Sequence, residues 1–293
     1  MGTNLQNNER IATACVCCGS KELSSAPAVL MPFVAHRALG WPPVFIDESW
    51  GLNTVKKGYA YTICRSLHCN HCGFLFLDIR FSDREMSNLY GGYRDEEYVR
   101  LREFYEPGYR LRNEELKKRA GYLVIVDDFI KLHLSCDHPP PRVLDWGGGT
   151  GCNSPLAAIR SKLDIYDISG DDPISGAYAV TLAQAQNCEY DLVSCCQVLE
   201  HVPYPADILQ RIMTCMSDST LLYIDVPFEG IMNNPEKCMI QKRHWHEHIN
   251  FYSVESIRKL LDSVGLSLIG VDVRVERVGE SKISLLQVVA RKI

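Results

Sequence analysis

The clearest chemical signal in the chain is a set of glycines at alternate positions directly after a short apolar segment. Residues 142–146 read R-V-L-D-W, and glycines follow at positions 147, 149 and 151. Glycine allows a tight turn and lets a ligand approach the backbone with no Cβ in the way. A second apolar segment, residues 163–166, leads into Asp167, at about the 20-residue spacing of a carboxylate that binds ribose hydroxyls. The pattern predicts a strand, a loop and a helix that together hold a nucleoside.

The spacing of these glycines favours S-adenosylmethionine (SAM) over a dinucleotide. Dinucleotide-binding loops use G-x-G-x-x-G, which points backbone amides at a pyrophosphate. Here a carboxylate, Asp145, stands at the end of the strand, where it suits a cationic sulfonium and repels a diphosphate. Residues 191–201 then read as a buried strand that ends in a polar turn, followed by a helix that begins at Pro205. The residues expected to bind SAM are Asp145, Gly147, Gly149, Gly151, Asp167 and Gln197.

Residues 142–227 resemble the class I SAM-dependent methyltransferases. The resemblance rests on the V-L-D-x-G-x-G-x-G strand and loop, the acidic residue after the second strand, and L-E-H after the fourth strand. It implies a doubly wound α/β fold with a seven-stranded sheet, and an enzyme that transfers a methyl group from SAM. From the residues alone, a glycine-rich turn in some other doubly wound domain is the alternative.

Two C-x-x-C-G segments in the N-terminal part of the chain predict a metal site. Each tight turn presents two thiolates, and two such turns supply the four sulfur ligands of a tetrahedral structural zinc site. Four thiolates close the coordination sphere, so the zinc would stabilise a small lobe and would not activate water. The predicted ligands are Cys15, Cys18, Cys69 and Cys72.

The other cysteines and two nearby histidines leave alternatives open, including ordinary buried or redox-active thiols. The residues close enough in sequence to replace one of the four ligands are Cys17, Cys64, His68 and His71. An odd number of cysteines, 13 in all, at uneven spacing argues against a secreted disulfide scaffold. We expect six further cysteines to be small buried hydrophobic residues: Cys136, Cys152, Cys188, Cys195, Cys196 and Cys215.

The segment H-W-H-E-H-I-N-F-Y-S, residues 244–253, is the second candidate site. It follows a predicted fifth strand at residues 221–226 and precedes a helix, which places it at the carboxyl end of the sheet, where open α/β folds bind ligands. Its three histidines would share one face of an extended segment and could bind a metal, but no carboxylate partner for each imidazole is evident. A general base is the favoured role, because histidine titrates near neutral pH and a neighbouring carboxylate can orient it.

Together, the cysteine-rich lobe, a tyrosine-rich connector, the SAM domain and this histidine segment resemble the sugar C-methyltransferases of deoxysugar pathways. Those enzymes methylate a carbon next to the keto group of a nucleotide-linked sugar. The resemblance places the catalytic histidine at His248 with Glu247 beside it, and it implies a sugar or sugar-nucleotide-like acceptor. Two features depart from the family. Its tyrosine is Trp245 here, and the chain ends near the close of the SAM domain, where the family has a further C-terminal domain.

Three other interpretations stay open at this point. The E-H-x-x-F-[YF]-S stretch also occurs in O-methyltransferases of surface polysaccharides, so oxygen and carbon acceptors are both possible. His248 could order its loop instead of accepting a proton. The zinc lobe could dock a protein partner beside a SAM domain that is not catalytic.

Length and charge narrow the class of protein. At 293 residues the chain has room for one large domain and a smaller one. A net charge of −5 argues against nucleic acid as the main partner, because binding phosphates requires a basic face. No apolar run approaches the ~20 residues needed to span a bilayer, and the N-terminal residues lack the apolar core of a signal peptide. We expect a cytoplasmic enzyme that acts on a small molecule.

Composition divides the chain into three parts: a zinc-binding lobe at residues 11–80, a tyrosine-rich connector at 81–138 and the SAM domain at 139–293. In the connector, Tyr90, Tyr93 and Tyr98 could form a lid over the methyl donor or could pack the two lobes together.

Apolar spacing and capping residues predict the elements around the site. One long helix should run from about residue 110 to 133 and end before the proline run at 139–141. A helix at 254–264, with Ser253 as its N-cap and Gly265 after its end, should precede two β-rich runs. These runs, at 266–275 and 283–289 with Gly279 between them, should pair at the sheet edge.

Overall fold

The computed structural model describes residues 9–51, 56–117, 121–134, 141–278 and 281–293. The strands are β1 (Leu23–Leu30), β2 (Val44–Ile46), β3 (Gly58–Ala60), β4 (Ile63–Cys69), β5 (Leu75–Leu77), β6 (Arg142–Trp146), β7 (Lys162–Tyr166), β8 (Ala177–Ala179), β9 (Leu192–Cys196), β10 (Leu221–Pro227), β11 (His244–Trp245), β12 (Asn250–Phe251), β13 (Leu266–Val278) and β14 (Ser281–Lys292). The helices are α1 (Pro32–Leu39), α2 (Asp83–Tyr90), α3 (Glu96–Tyr105), α4 (Tyr109–Lys117), α5 (Tyr122–Lys131), α6 (Leu182–Gln186), α7 (Pro205–Met213), α8 (Cys238–Gln241) and α9 (Val254–Val264).

A seven-stranded, mostly parallel sheet forms the C-terminal part of the molecule, in the order β13-β14-β10-β9-β6-β7-β8. Strands β10, β9, β6, β7 and β8 run parallel to one another, and β14 lies antiparallel to both β10 and β13. Numbered along the chain within this sheet, the order is 6-7-5-4-1-2-3. This is the class I methyltransferase order that the resemblance implies. The carboxyl ends of the parallel strands therefore share one edge, which is where a ligand is expected.

Several elements confirm the sequence expectations because their ends are encoded locally. Helix α9 begins after Ser253, whose side chain accepts the Ser256 amide, and it ends at Gly265 with a φ of 81°. Helix α7 begins at Pro205, where a missing amide hydrogen costs nothing. The paired runs at the sheet edge are confirmed and are longer than predicted. Gly279, predicted to separate them, lies outside the described residues.

The single long helix predicted for residues 110–133 is wrong. The described residues form two helices, α4 and α5, and Gly121 at the start of α5 has a φ of 90°. An α-helix requires negative φ, so a continuous helix cannot pass through this residue in that conformation. Of the predicted proline break, Pro139 and Pro140 lie outside the described residues, and Pro141 directly precedes β6.

The helix predicted after the glycine loop is also wrong. Residues 149–159 form successive turns, and no α-helix separates β6 from β7 in this fully described stretch. Pro155 interrupts it, and the next residue, Leu156, has a φ of 58°. The Leu156 amide instead donates to the Asp127 carboxylate at 2.7 Å, which ties the turns to α5. The sequence pattern did not predict that turns held by Asp127 would take the place of a helix here.

The N-terminal lobe contains a five-stranded sheet in the order β11-β1-β4-β5-β12. Its two outer strands come from the histidine-rich segment: Trp245 pairs with Leu30, and Asn250 pairs with Phe76. The predicted boundaries near residues 80 and 138 remain predictions. The lobe sheet nevertheless draws two strands from far beyond them, so residues 246–249 are held between two strands of the lobe.

A buried arginine joins this lobe to the loop after β9. Arg80 is 1% exposed, and its guanidinium donates to the backbone oxygens of Leu77 at 2.7 Å, Pro203 at 3.0 Å and Val202 at 3.4 Å. It also donates to the Asn250 side-chain oxygen at 2.8 Å. Burial lowers the pKa of Arg80 to about 10, so it remains charged at neutral pH. One cation therefore connects three segments of the chain.

Asn250 completes this connection. Its side-chain amide donates to the backbone oxygens of Leu199 at 2.8 Å and Val202 at 2.7 Å, both in the loop after β9. Further along, the Ser253 hydroxyl donates to the Cys72 backbone oxygen at 3.0 Å. The histidine segment is thus fixed at both ends against the lobe and the sheet.

The six cysteines expected to be buried behave differently from one another. Cys195 and Cys215 are buried, Cys188 and Cys196 are half-buried, and Cys136 lies outside the described residues. The expectation is wrong for Cys152, which is exposed because it follows the glycine loop on a surface turn. Within the described ranges, no helix is long and apolar enough to cross a membrane.

The Arg80 contacts predict a large stability cost for removing the guanidinium. Arg80→Leu would remove four hydrogen bonds, two of them fully buried, so we expect the free energy of unfolding to fall by about 3 kcal/mol in urea titrations. Arg84→Leu, on the exposed face of α2, is the matched control and should change it by less than about 0.5 kcal/mol. Equal losses in both variants would contradict the role given to Arg80.

Candidate active site

The glycine loop after β6 leaves open space at one position. A Cβ built on Gly147 would lie 2.5 Å from Val198, and one on Gly151 would lie 2.5 Å from Ile165, so these two glycines allow close packing. Gly149 has a φ of 54° and nothing within 4 Å of its ideal Cβ. Its amide donates to the Asp167 carboxylate at 2.7 Å. The loop and the end of β7 are therefore joined around an accessible backbone turn.

Asp145 stabilises this loop from inside. Its carboxylate accepts the hydroxyls of Ser154 at 2.5 Å and Ser194 at 2.7 Å, and the residue is 3% exposed. Burial raises the pKa of Asp145. From the sequence we expected this carboxylate to lie close to a ligand. In the structure its hydrogen bonds connect β6, β9 and the turn that follows the glycines.

Gln197, at the end of β9, adopts an uncommon backbone conformation. Its φ is 56°, and its side-chain amide donates to Asp225 at 2.6 Å. Left-handed conformations of non-glycine residues are uncommon and concentrate at functional sites. The next residue, Val198, packs against Gly147, so the β6 and β9 loops meet at the carboxyl edge of the sheet.

The three histidines of the second candidate segment enter different environments. His244 is exposed, His246 lies 3.3 Å from Glu106, and the His248 ring packs edge-to-face on His201 at 4.7 Å. The expectation that all three share one face is wrong, because the extended conformation of β11 covers two residues and the chain then turns. Among the described residues the three histidines form no metal-binding group with one another, whereas potential ligand atoms of His248, Glu200 and His201 lie within 4.8 Å of one another.

His201 connects the segment to the tyrosine-rich connector. Its Nδ1 lies 2.8 Å from the Tyr90 hydroxyl and 3.1 Å from the Glu247 backbone oxygen. Either ring tautomer therefore finds a partner: a protonated Nδ1 donates to the carbonyl, and a bare Nδ1 accepts the tyrosine hydroxyl. Its other nitrogen, Nε2, lies 3.7 Å from Glu200.

Burial controls the protonation of these side chains. Desolvation lowers the pKa of His201, and it lowers the pKa of His248 well below its usual value, with the neighbouring His201 adding to the effect. Desolvation also raises the pKa of Tyr90 well above its usual value. At neutral pH both imidazoles are therefore uncharged and the tyrosine keeps its proton.

Glu247 points into the lobe. Its Oε1 accepts from Arg102 at 2.7 Å, and Arg102 also donates to Glu106 at 3.2 Å and to the Tyr98 hydroxyl at 3.2 Å. Glu247 is 8% exposed, and its second carboxylate oxygen is buried without a hydrogen bond within the described residues. Glu247 thus contacts Arg102 in the lobe, whereas His248 packs on His201.

The connector tyrosines divide between the two suggested roles. Tyr98 is fully buried in the lobe core, with its ring centroid 5.0 Å from that of Phe33. Tyr93 packs between Tyr90 and Tyr98, and Tyr90 reaches His201. Tyr98 is therefore a packing residue, whereas a lid role for Tyr90 remains a prediction.

The cysteines of the two C-x-x-C-G turns come together as predicted. The Cys15 and Cys72 sulfurs are 3.7 Å apart, those of Cys18 and Cys69 are 3.6 Å apart, and all four lie within 4.8 Å of one another. Tetrahedral coordination with Zn–S bonds of about 2.3 Å requires S–S separations of about 3.8 Å. In the described part of the chain, this group includes none of the alternative ligands: Cys17, Cys64, His68 and His71.

Comparison with known families agrees with this geometry. The model of a family described as "Methyltransferase domain" matches residues 111–271, more than half of the chain. The chain belongs to this methyltransferase family. With its class I sheet order, it is a SAM-dependent methyltransferase and an enzyme, as the glycine loop predicted. The match does not extend to the cysteine-rich lobe. No curated protein matches the sequence of this chain significantly.

Solved structures of other methyltransferases are similar to it at low identity. The Synechocystis magnesium protoporphyrin IX methyltransferase with bound SAH is 21% identical and covers 68% of this chain and 100% of its own, with a TM-score of 0.45. The Burkholderia thailandensis 1,6-didemethyltoxoflavin-N1-methyltransferase is 14% identical over 85% and 98% of the two chains, with a TM-score of 0.46. A SAM-dependent methyltransferase from Methanosarcina mazei is 12% identical over 56% and 97%, with a TM-score of 0.41.

The sequence analysis did not identify several residues that lie near the candidate active site. Arg80, Arg102 and Glu229 approach it from distant parts of the chain, and Glu229 Oε1 lies 3.9 Å from His248 Nδ1. No sequence motif marks them, because the contacts of the two arginines with the histidine segment, to Asn250 and Glu247, join residues more than 100 positions apart. The signal that could have found them is charge within otherwise apolar stretches, such as Arg80 between Ile79 and Phe81.

Proposed function

We propose that the enzyme binds SAM at the carboxyl edge of its sheet and methylates a small, sugar-like acceptor, with His248 as the general base. The observation that carries this proposal is the convergence of three features at that edge. The open glycine turn follows β6, Gln197 follows β9, and His248 rests on His201 in the same β9 loop.

The glycine turn provides the cofactor site of the proposal. Bound SAM supplies an electrophilic methyl group. Gly149 leaves room for a nucleoside against the backbone, and the Asp167 carboxylate keeps lone pairs for ribose hydroxyls beyond those used by Gly149 and Ser169. Gln197, which we also assign to the cofactor, directly precedes Val198, the residue that packs against Gly147 of the same loop. Asp145 supports the proposed site by holding the loop rigid through its two serines.

His248 has the accessibility and charge state that a general base requires. Its side chain is 33% exposed, and its lowered pKa keeps the imidazole unprotonated at neutral pH. As the acceptor atom bonds to the methyl group, its proton passes to the imidazole. The Glu229 carboxylate, 3.9 Å from Nδ1, favours the imidazolium that forms. His201 and Tyr90 position the ring, so they are positioning residues.

Glu247 assists through its fixed carboxylate. Arg102 holds Oε1, and Oε2 is buried, so Glu247 would assist by fixing the segment that carries His248 and not by contact with the acceptor. Trp245, where the sugar C-methyltransferases have tyrosine, is fully buried and donates its indole N–H to Ser66 at 2.8 Å. The tryptophan at this position is therefore part of the lobe core.

A groove next to Glu229 supports a sugar-like acceptor. It has a volume of about 410 Å³, and both polar and apolar side chains line it. Carboxylate, amide and hydroxyl groups can bind sugar hydroxyls, while aromatic and aliphatic side chains can pack on the C–H faces of a sugar ring. The residues that line it are Phe228, Glu229, Gly230, Asn233, Val273, Val275 and Ser284.

We further propose a structural zinc ion on Cys15, Cys18, Cys69 and Cys72. The sulfur separations fit a closed tetrahedral site, and the Ser253–Cys72 hydrogen bond links that site to the start of α9. The ion would stabilise the lobe sheet that supports the histidine segment.

The cofactor proposal predicts the effect of filling the open turn. Gly149→Arg should weaken the binding of SAM by about 100-fold or more in isothermal titration calorimetry, because the new side chain occupies the nucleoside space. Gly40→Arg is the matched control: Gly40 also has a positive φ, 67°, and open space around its ideal Cβ, but it ends α1. Undiminished SAM binding by Gly149→Arg would refute the placement.

The base proposal predicts a selective loss in His248→Ala. With a nucleotide-linked keto-deoxysugar as acceptor, kcat should fall by about 10²–10⁴-fold while SAM affinity is unchanged. Deuterium exchange from solvent at the carbon beside the keto group should fall in parallel. The exposed His244 provides the control variant, His244→Ala, which should retain activity.

The pH dependence follows from the lowered pKa of His248. The base acts when unprotonated, so kcat/KM should stay level above about pH 7 and decline only below the ordinary imidazole pKa of about 6.5. A decline centred at or above that value, or full exchange activity in His248→Ala, would show that another group accepts the proton.

The zinc proposal predicts one zinc per chain by elemental analysis. Cys69→Ser should lose the metal and lower the thermal stability of the lobe, because three thiolates no longer close the site. Cys64→Ser tests a buried cysteine of the same strand whose sulfur lies outside the group of four, and it should keep one zinc. Metal-free wild-type protein with the same stability would contradict the proposal.

A further inference from the structure

Strand β13 is a long edge of the main sheet. It spans 13 residues and pairs with β14 on one side. The sheet order ends at β13, and in the ranges that the structure describes no strand pairs with its other side. An edge of this length presents a row of backbone donors and acceptors to a further strand.

The outer part of this strand also carries exposed apolar side chains at every second position. The exposed fractions are 45% for Ile269, 36% for Val271, 37% for Val273 and 53% for Val275. Alternate residues of a regular strand face the same way, so Val271, Val273 and Val275 form one apolar strip along the edge, whereas Ile269 lies at an irregularity between Leu268 and Gly270. Natural edge strands usually avoid such a strip or cover it, because it promotes pairing with another chain.

The sequence of the strand is complementary to itself when read in opposite directions. In an antiparallel pair with Val273 opposite Val273 of a second copy, Val271 faces Val275 on the apolar side. On the other side Asp272 faces Arg274. Because the pair is symmetric, each of these contacts occurs twice. Opposite charges and β-branched pairs directly across two strands both stabilise a sheet.

We propose that two copies of the chain associate through β13 in this register, forming a two-fold dimer with one sheet continuous across both copies. Arg274 already forms an ion pair with Glu276 of its own strand, with Nε 2.6 Å from Oε1. In the dimer Arg274 lies between that carboxylate and Asp272 of the second copy. The occupant is a second copy because the charge order and the apolar strip match this strand itself. The proposal does not depend on the base, but Val273 and Val275 also line the proposed acceptor groove, so the dimer would bring the second copy next to that groove.

Charge exchange tests the register directly. In sedimentation velocity of the full chain, wild-type protein should be a dimer at micromolar concentrations. Asp272→Arg and Arg274→Asp should each raise the dimer dissociation constant by about tenfold or more, because each places two like-charged pairs across the interface. The double variant Asp272→Arg/Arg274→Asp restores opposite charges at both positions and should recover the dimer even if the single variants are less stable.

A second pair of variants tests the apolar strip. Val273→Lys places two ammonium groups opposite each other at the two-fold axis and should give monomers, whereas Val124→Lys, a 61% exposed valine on α5, should leave the dimer intact. A monomeric wild-type protein throughout the concentration range would overturn the proposal. So would a dimer that survives Val273→Lys, or a double charge exchange that fails to recover association lost in the single variants.

Discussion

The position of the candidate base depends on one buried cation. Arg80 has no carboxylate partner among its hydrogen bonds and instead uses backbone oxygens of its own segment and of the β9 loop, together with Asn250. A guanidinium can offer five N–H donors in fixed directions, and a lysine in the same place could not reach these acceptors at once. The constraint is geometric. The lobe, the β9 loop and the histidine segment must keep one relative arrangement, because otherwise the buried guanidinium would lose its hydrogen bonds.

This constraint makes the lobe part of the candidate active site. Residues 246–249 lie between β11 and β12, and both strands pair with the lobe sheet, so a change in that sheet moves the segment that carries His248. Two members of the cysteine group, Cys69 and Cys72, lie at the end of β4 and in the turn before β5 of the same sheet, and Cys15 and Cys18 lie in the turn before β1. Metal binding would therefore act on catalysis indirectly, by fixing the strands that hold the segment.

The sequence predicted the features that are encoded by neighbours in the chain. Alternate glycines, the acid after β7, the capped helix α9 and the two cysteine turns all depend on residues within one turn or strand, and all were found. The failures came from contacts across the fold. The helix expected after the glycine loop is replaced by turns tied to Asp127. Likewise, the ring centroids of His244 and His246 lie 5.9 Å apart, but His248 packs on His201. Trp245 and Asn250 are drawn into lobe strands, which no local pattern indicates.

An uncharged base suits a reaction with a cationic methyl donor. A protonated histidine near a sulfonium would add one positive charge to another, whereas burial and the neighbouring His201 keep His248 neutral. In the proposed reaction the sulfonium would lose its positive charge and the imidazole would gain one with the acceptor proton, so no positive charge would accumulate. The Glu229 carboxylate, 3.9 Å from His248 Nδ1, would stabilise the imidazolium. Under this proposal, the carboxylates and neutral imidazoles at this edge suit a charge that changes position during the reaction.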